Sequence, residues 1–416
     1  MSPARPEILK ALAQERSRRV VGRAVAGTVV ALVVVFVGVQ LLRPVPPPVF
    51  RPTVPGSIRL PGALPALPFP GSGSAAISMV GGGSLGHSGS TLPVPVGGLI
   101  KVLTAYVVLT DHPISSGDSG PTITVTGDTV TEYQDGVKNQ ESEVAVGPQE
   151  TLTELQALQG LLLVGANDMA TLLADWDAGG VPAFVSKMNR AARSLGLKST
   201  LVNDPNGLDP ATVSTPSDLI MLGEAAMAIP TFAELVGTAE ATLPMAGVVF
   251  NTNFALGRAG IVGIRTGSLP ASGGCFLFEA RQNHSGQSLT LVGAVLGQQT
   301  ASPTNAAVNA AESLINVAFA ASGPIAVLGS GATVGRIESS WGASVPVVAS
   351  SNPTVVAWPG LVVSARTRKF PLGTAVGEGT RVATVTLSIG NQHLVLVVHA
   401  GARLPGPSVF WRLTRL

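Results

Sequence analysis

Pro95-Val96-Gly97-Gly98-Leu99-Ile100-Lys101-Val102-Leu103-Thr104-Ala105-Tyr106 is the stretch whose reading decides the fold. Proline and two glycines come first. Apolar residues then follow at Leu99, Val102, Leu103 and Tyr106, spaced to share one face of a buried helix. A single charge, Lys101, lies inside this apolar run. Two readings of it stand side by side. The lysine stem runs along apolar surface and carries its ammonium out to water, or the amine is buried beside a reaction centre, where desolvation lowers its pKa and makes it a base.

Upstream, Ala24 to Leu42 is uncharged, mostly apolar and rich in valine, close to the ~20 residues that a membrane-spanning helix needs. Arg16, Arg18, Arg19 and Arg23 precede it, so the positive-inside rule puts the N-terminus in the cytoplasm and the following domains outside. The run ends in Gln40-Leu41-Leu42-Arg43-Pro44, without the small-residue pattern of a signal-peptidase site, which favours an uncleaved anchor. Proline then recurs from Pro44 to Pro70, predicting an extended, semi-rigid linker over 43–74 that forms neither helix nor sheet ladder.

Downstream of the opening stretch, the helix is expected to run to about Thr110. Thr122 to Thr126 alternates like a strand. Thr151 and Glu154 have capping-box spacing ahead of an apolar helix through Leu155, Leu158, Leu161 and Leu162. Pro182 and Gly196 bracket another helix, and Thr215-Pro216 opens a third. Ile261 to Arg265, Cys275 to Ala280 and Leu289 to Leu296 then read as antiparallel strands, followed by an alanine-rich helix over Thr304 to Phe319. Helices flanked by strands predict an α+β domain with helices packed on an antiparallel sheet. Past Pro324, short Val/Thr strands between Gly, Pro and Ser turns predict a small all-β domain up to Trp411-Arg412-Leu413.

Composition narrows the function. Only 12% of the 416 residues are charged and the net charge is +2, with no basic stripe among aromatics, so no nucleic-acid partner is expected. The single cysteine, Cys275, excludes an internal disulfide and reads as a buried strand thiol. The five histidines lack ligand spacing, so neither metal nor other cofactor is expected.

The opening stretch resembles the serine-type D-alanyl-D-alanine carboxypeptidases (peptidase family S11), the low-mass penicillin-binding proteins. These carry Ser-x-x-Lys at the start of such a helix. The serine attacks the peptide carbonyl and the lysine, three residues on, takes its proton. Here Lys101 holds the place of the base, while Gly98 stands where the nucleophile is expected. The second family motif, Ser-x-Asn, becomes Gly165-Ala166-Asn167, and the third, Lys-Thr-Gly, becomes Arg265-Thr266-Gly267, followed by Ser268. Asn206-Gly207-Leu208, Trp176-Asp177-Ala178-Gly179 and Val213 to Leu219 also look family-like and stand in the right order. Without the family, Asn167 reads as a turn or helix-terminus residue and Arg265 as a surface charge before a turn.

The resemblance implies a penicillin-binding, β-lactamase-like serine transferase fold over 75–322 with a β-rich domain over 323–416, behind a cytoplasmic segment 1–23, a transmembrane anchor 24–42 and the linker. It also implies a cell-membrane protein with its main domains outside, facing peptidoglycan stem peptides that end in D-Ala-D-Ala. Asn167 would hold the substrate amide. Thr266 and Gly267 would bind the substrate, the backbone N–H groups of Gly98 and Ser268 would form the oxyanion hole, and Arg265 would grip the carboxylate bidentately. Loss of the nucleophile of a serine protease lowers turnover by on the order of 10⁶. Upstream serines Ser84, Ser88 and Ser90 are poor substitutes, because attack needs atoms ~3–3.5 Å apart and aligned. The expectation is therefore a catalytically impaired homologue, a pseudoenzyme that binds stem peptide or an envelope protein. Two other readings remain: an active peptidase (hydrolase) trimming pentapeptides, and a purely structural envelope protein.

Overall fold

The computed structural model describes residues 5–115, 117–284, 286–329 and 331–415. Its helices are α1 (Arg5–Leu42), α2 (Lys101–Asp111), α3 (Gly127–Lys138), α4 (Glu154–Gln159), α5 (Asn167–Ala178), α6 (Val181–Ser194), α7 (Pro216–Met227), α8 (Pro230–Gly237), α9 (Pro303–Ala321) and α10 (Val409–Thr414).

Short apolar runs between glycine turns cannot satisfy their backbone groups alone, and they pair into a five-stranded antiparallel sheet. Its strands are β3 (Ser74–Met79), β4 (Gly83–Ser88), β5 (Ile261–Leu269), β6 (Gly273–His284) and β7 (Gln287–Gln298), in the order β5-β6-β7-β3-β4. The register sets Arg265 opposite Leu277 and Thr266 opposite Phe276. β5 is thus an edge strand, with its free side turned to the helices.

Both faces of the sheet are covered, as its near-continuous apolar strands require. On one face α2, α5, α6, α7 and α8 bury a core that includes Leu99, Leu103, Leu162, Phe184 and Leu277. On the other, Phe276, Phe278 and Val295 meet α9 and the second domain in one continuous core. Cys275 is buried in β6, and burial pushes its thiol up to about 11, an inert strand residue.

The second domain is a seven-stranded sheet, and here the structure corrects the reading of the proline-rich segment. β1 (Val49–Pro52) and β2 (Ser57–Arg59) are its two edge strands. They flank β8 (Thr333–Glu338), β9 (Ser344–Ala349), β10 (Val362–Lys369), β11 (Arg381–Ile389) and β12 (Gln392–Ala400), in the order β1-β8-β9-β12-β11-β10-β2. Part of the expected linker is therefore built into the domain, with Phe50 and Leu60 in its core. Proline is tolerated there because an edge strand has a side with no ladder bond to donate.

Smaller corrections follow. Thr153, not Thr151, caps α4, and Gln156 reaches back to it. Thr151–Thr153 is itself a strand paired with Thr122–Thr124, which takes Thr151 out of capping position. The apolar helix ends in a π turn, Gly160–Val164. Residues 409–414 are helical rather than extended. Ser84 and Ser88 lie on β4, the sheet edge opposite β5. The sequence reading also had no counterpart for α3, which is polar on most faces, or for the hairpin Glu240–Leu243 with Gly247–Phe250. Within Leu12–Leu42 of α1, an 18-residue window has a mean hydropathy of 2.6 and none of that window is buried against the protein, as befits a candidate membrane span.

Candidate functional site

Lys101 is the first residue of α2, held there by the 3-10 turn Gly97–Ile100. This placement turns the side chain inward, and it is 3% exposed. Nζ donates to Asn167 Oδ1 at 2.6 Å and to the main-chain carbonyl of Asn206 at 2.6 Å. The snorkelling alternative is thereby removed. Burial, and secondarily the Arg265 charge, lower the amine to about 7, against opposing pulls from Asp204, Glu143 and Asp168. Near neutral pH both protonation states are therefore populated. A neutral amine that donates twice keeps its lone pair for a third direction.

That direction includes Gly98. A Cβ built there would stand 3.6 Å from Lys101 Nζ and 3.8 Å from Arg265 Nη2. These are ordinary contacts, so the backbone at this position has room for a side-chain Cβ. Among the described residues, the hydrogen bonds of Nζ go to an amide and a main-chain carbonyl and to no hydroxyl.

Asn167 opens α5, directly after Gly165 and Ala166. Its amide is oriented by the lysine on one side and, through Nδ2, by Glu141 Oε2 and Glu143 Oε1, each at 3.2 Å. Glu143 also accepts the Asp168 N–H at 2.8 Å. Burial first, and then the neighbouring Glu143, push the Asp168 carboxyl up. The sequence reading missed Glu141, Glu143 and the Asn206 carbonyl. Only Asn206 had a signal, in Asn206-Gly207-Leu208. Gly207 has φ +84°, and a Cβ there would overlap the Gly97 carbonyl oxygen. Glycine lets this loop close over the 3-10 turn and bring its carbonyl to Lys101.

Arg265 reaches from edge strand β5 into the same space and is 6% exposed. Nε donates to the Gly98 carbonyl at 3.0 Å and Nη1 to the Leu162 carbonyl, in the π turn, at 2.7 Å. Burial lowers it to about 10, so it stays cationic at neutral pH. Gly165 has φ +87°, and any Cβ on it would overlap Arg265 Nη2. The guanidinium thus fills the space in front of Gly165. Two of its nitrogens are committed to backbone carbonyls, which limits the bidentate grip on a carboxylate that the sequence suggested. Thr266 is buried, with Oγ1 on the Thr252 carbonyl at 3.3 Å. Gly267 brings β5 close to the turn, since a Cβ there would lie 3.6 Å from the Gly98 N. Ser268 follows at the exposed mouth. Seven of the eight sequence-selected positions gather around Lys101 and Arg265, and the eighth, Ser268, is exposed next to them on β5.

A family model described as Peptidase S11, D-alanyl-D-alanine carboxypeptidase, matches residues 78–300, more than half of the chain. The chain belongs to that family. Among S11 relatives, D-alanyl-D-alanine carboxypeptidase DacB2 of Mycobacterium tuberculosis is 37% identical over 156 residues, 36% of this chain. The match spans about half of that relative, 48% of its length. The D-alanyl-D-alanine carboxypeptidase of Streptomyces sp. strain K15 is 30% identical over 266 residues, 58% of this chain and 88% of the relative. The crystal structure of the Streptomyces K15 DD-transpeptidase superposes with a TM-score of 0.53 at 28% identity, covering 62% of this chain and all of that one. Penicillin-binding protein 5 of Haemophilus influenzae, at 19% identity, shares the fold over 82% of this chain and 99% of its own, with a TM-score of 0.57. The S11 fold, an α+β transferase-like domain, is the one expected from the sequence.

Proposed function

We infer that this S11 chain is a membrane-anchored cell-envelope protein that has lost acyl transfer and holds D-Ala-D-Ala stem peptide without cleaving it. The observation that carries this is the pairing of Lys101 with Asn167 and Asn206 beside a bare Gly98. The base position keeps its lowered pKa, while no side chain stands where an ester would form. Main-chain N–H groups at Gly98 and along β5 still offer a carbonyl-binding edge, which needs no side chain. The partly committed Arg265 makes for a weaker carboxylate grip than a free cation would give.

A second reading has one observation in its favour. A lysine amine at about 7 with a free lone pair can serve as base for a water placed beside Gly98. Such a peptidase would hydrolyse pentapeptide slowly and form no acyl-enzyme.

Fluorescent penicillin separates these readings. The full chain is expected to take no covalent label, and Gly98→Ser to take one that Lys101→Met then removes. A Lys101-dependent label on the unaltered chain would defeat the proposal. D-Alanine release above a Lys101→Met control, without labelling, would favour the water mechanism.

A further inference from the structure

The last turn of α1 is fastened to α10. Arg412 Nη1 donates to the Leu41 carbonyl at 3.0 Å, and Arg415 donates to the carbonyls of Gln40, Arg43 and Pro44. Gln40 Nε2 returns a bond to the Arg415 carbonyl at 3.2 Å. The carbonyls at a helix end lack intrahelical partners, so arginine capping explains these contacts. Capping does not explain what surrounds them. Val409 and Phe410 are 64% and 77% exposed, and Leu42 is 85% exposed. Trp411 meets Trp341 edge-on at 5.9 Å, and the Arg415 guanidinium lies over the Trp411 ring. Next to them is a cavity of about 440 Å³, lined by Val45, Val376, Leu404 and Pro407 with Arg403 and Arg412. Arg403 is exposed, and no carboxylate pairs with Arg43, Arg403, Arg412 or Arg415 among the described residues.

We propose that α10 and the end of α1 form a collar lying in the membrane interface, with the cavity between Arg403 and Arg412 holding the phosphate of an anionic phospholipid. This rests on the reading of α1 as a membrane span. The occupant follows from continuity and charge. The unburied apolar helix ends at the collar, so the bilayer surface lies where Phe410 is exposed beside the half-buried Trp341 and Trp411, at the depth aromatic residues favour. Arg403 and Arg412, which no carboxylate pairs among the described residues, meet the lipid phosphate, which a guanidinium binds bidentately. The apolar floor of the cavity suits the glycerol and upper acyl carbons.

The full chain, purified in detergent, is tested for lipid retention by native mass spectrometry. Phosphatidylglycerol is expected to stay bound and phosphatidylcholine to leave. Arg403→Glu, which breaks no hydrogen bond to the protein seen among the described residues, should lower phosphatidylglycerol retention roughly fivefold or more. Phe410→Ser in vesicles should reduce quenching of tryptophan emission by brominated lipid. Equal retention of both lipids, no effect of Arg403→Glu, or full displacement by millimolar inorganic phosphate would overturn the lipid site while leaving the span intact. Release of the chain from vesicles by alkaline carbonate would overturn the span, and the collar with it.

Discussion

At the residue scale, the cleft is governed by how Gly165 and Arg265 share one volume. The guanidinium occupies what a side chain at 165 would need, and the glycine has a left-handed backbone. Gly165→Ser alone should therefore destabilise the fold by about 1–3 kcal/mol through overpacking and strain. Arg265→Lys should relieve the overpacking part, leaving a coupling of roughly 1–2 kcal/mol in a double-mutant cycle. Chemical denaturation of the four variants measures it, and strict additivity would contradict the shared volume. Lys101 gives a pH signature. Its amine titrates at about 7 in the fold, against 10.5 ordinarily. Between those values the unfolded chain holds a proton that the folded chain lacks, so stability rises with pH by up to ~1.4 kcal/mol per unit. Below about pH 7 the lysine is charged in both states and the burial cost is complete. Relative to Lys101→Met, the natural chain should gain stability from pH 7 to 10 and gain nothing below 7. Urea midpoints at pH 6, 8 and 9.5 test this, and a constant difference would contradict a buried, depressed amine.

At the element scale, two segments changed meaning between sequence and structure. Gly160–Val164 continues an apolar helix by pattern, yet it closes as a π turn whose Leu162 carbonyl accepts from Arg265. That irregularity depends on a partner 103 residues away and has no local signature. Val49–Pro52 reads as linker because prolines surround it, yet it completes the second sheet through β8. Phe50 is 3% exposed and its ring lies over Gly335, where any Cβ would overlap it. Phe50→Ala should cost about 3–5 kcal/mol and expose the edge of β8 to proteolysis. Were the segment a free linker, the same substitution would leave the unfolding midpoint unmoved.

At the scale of the whole molecule, the two sheets share a core across α9. Trp358 of the second domain is fully buried, and its Nε1 donates to the Ala318 carbonyl of α9 at 2.5 Å. Trp358→Ala removes the largest buried side chain at this joint and should cost about 3–5 kcal/mol. It should also split one calorimetric unfolding transition into two, as domains lose their common core. A single transition shifted only in temperature would show that the joint is not what couples them.

The sequence by itself determined the candidate span, three of the five strands of the first sheet (β5, β6 and β7), the order of the three altered motifs and the missing hydroxyl at Gly98. Those features live in hydrophobic period, glycine and proline punctuation, and the identity of single residues, all of which are local. Only the tertiary structure decided that Lys101 faces inward, that Arg265 spends two donors on the carbonyls of Gly98 and Leu162, that Glu143 and Asn206 complete the cleft, and that proline-bounded strands finish the second sheet. Each of these depends on partners distant along the chain, where burial sets the worth of a charge and backbone geometry sets which donor an acceptor meets.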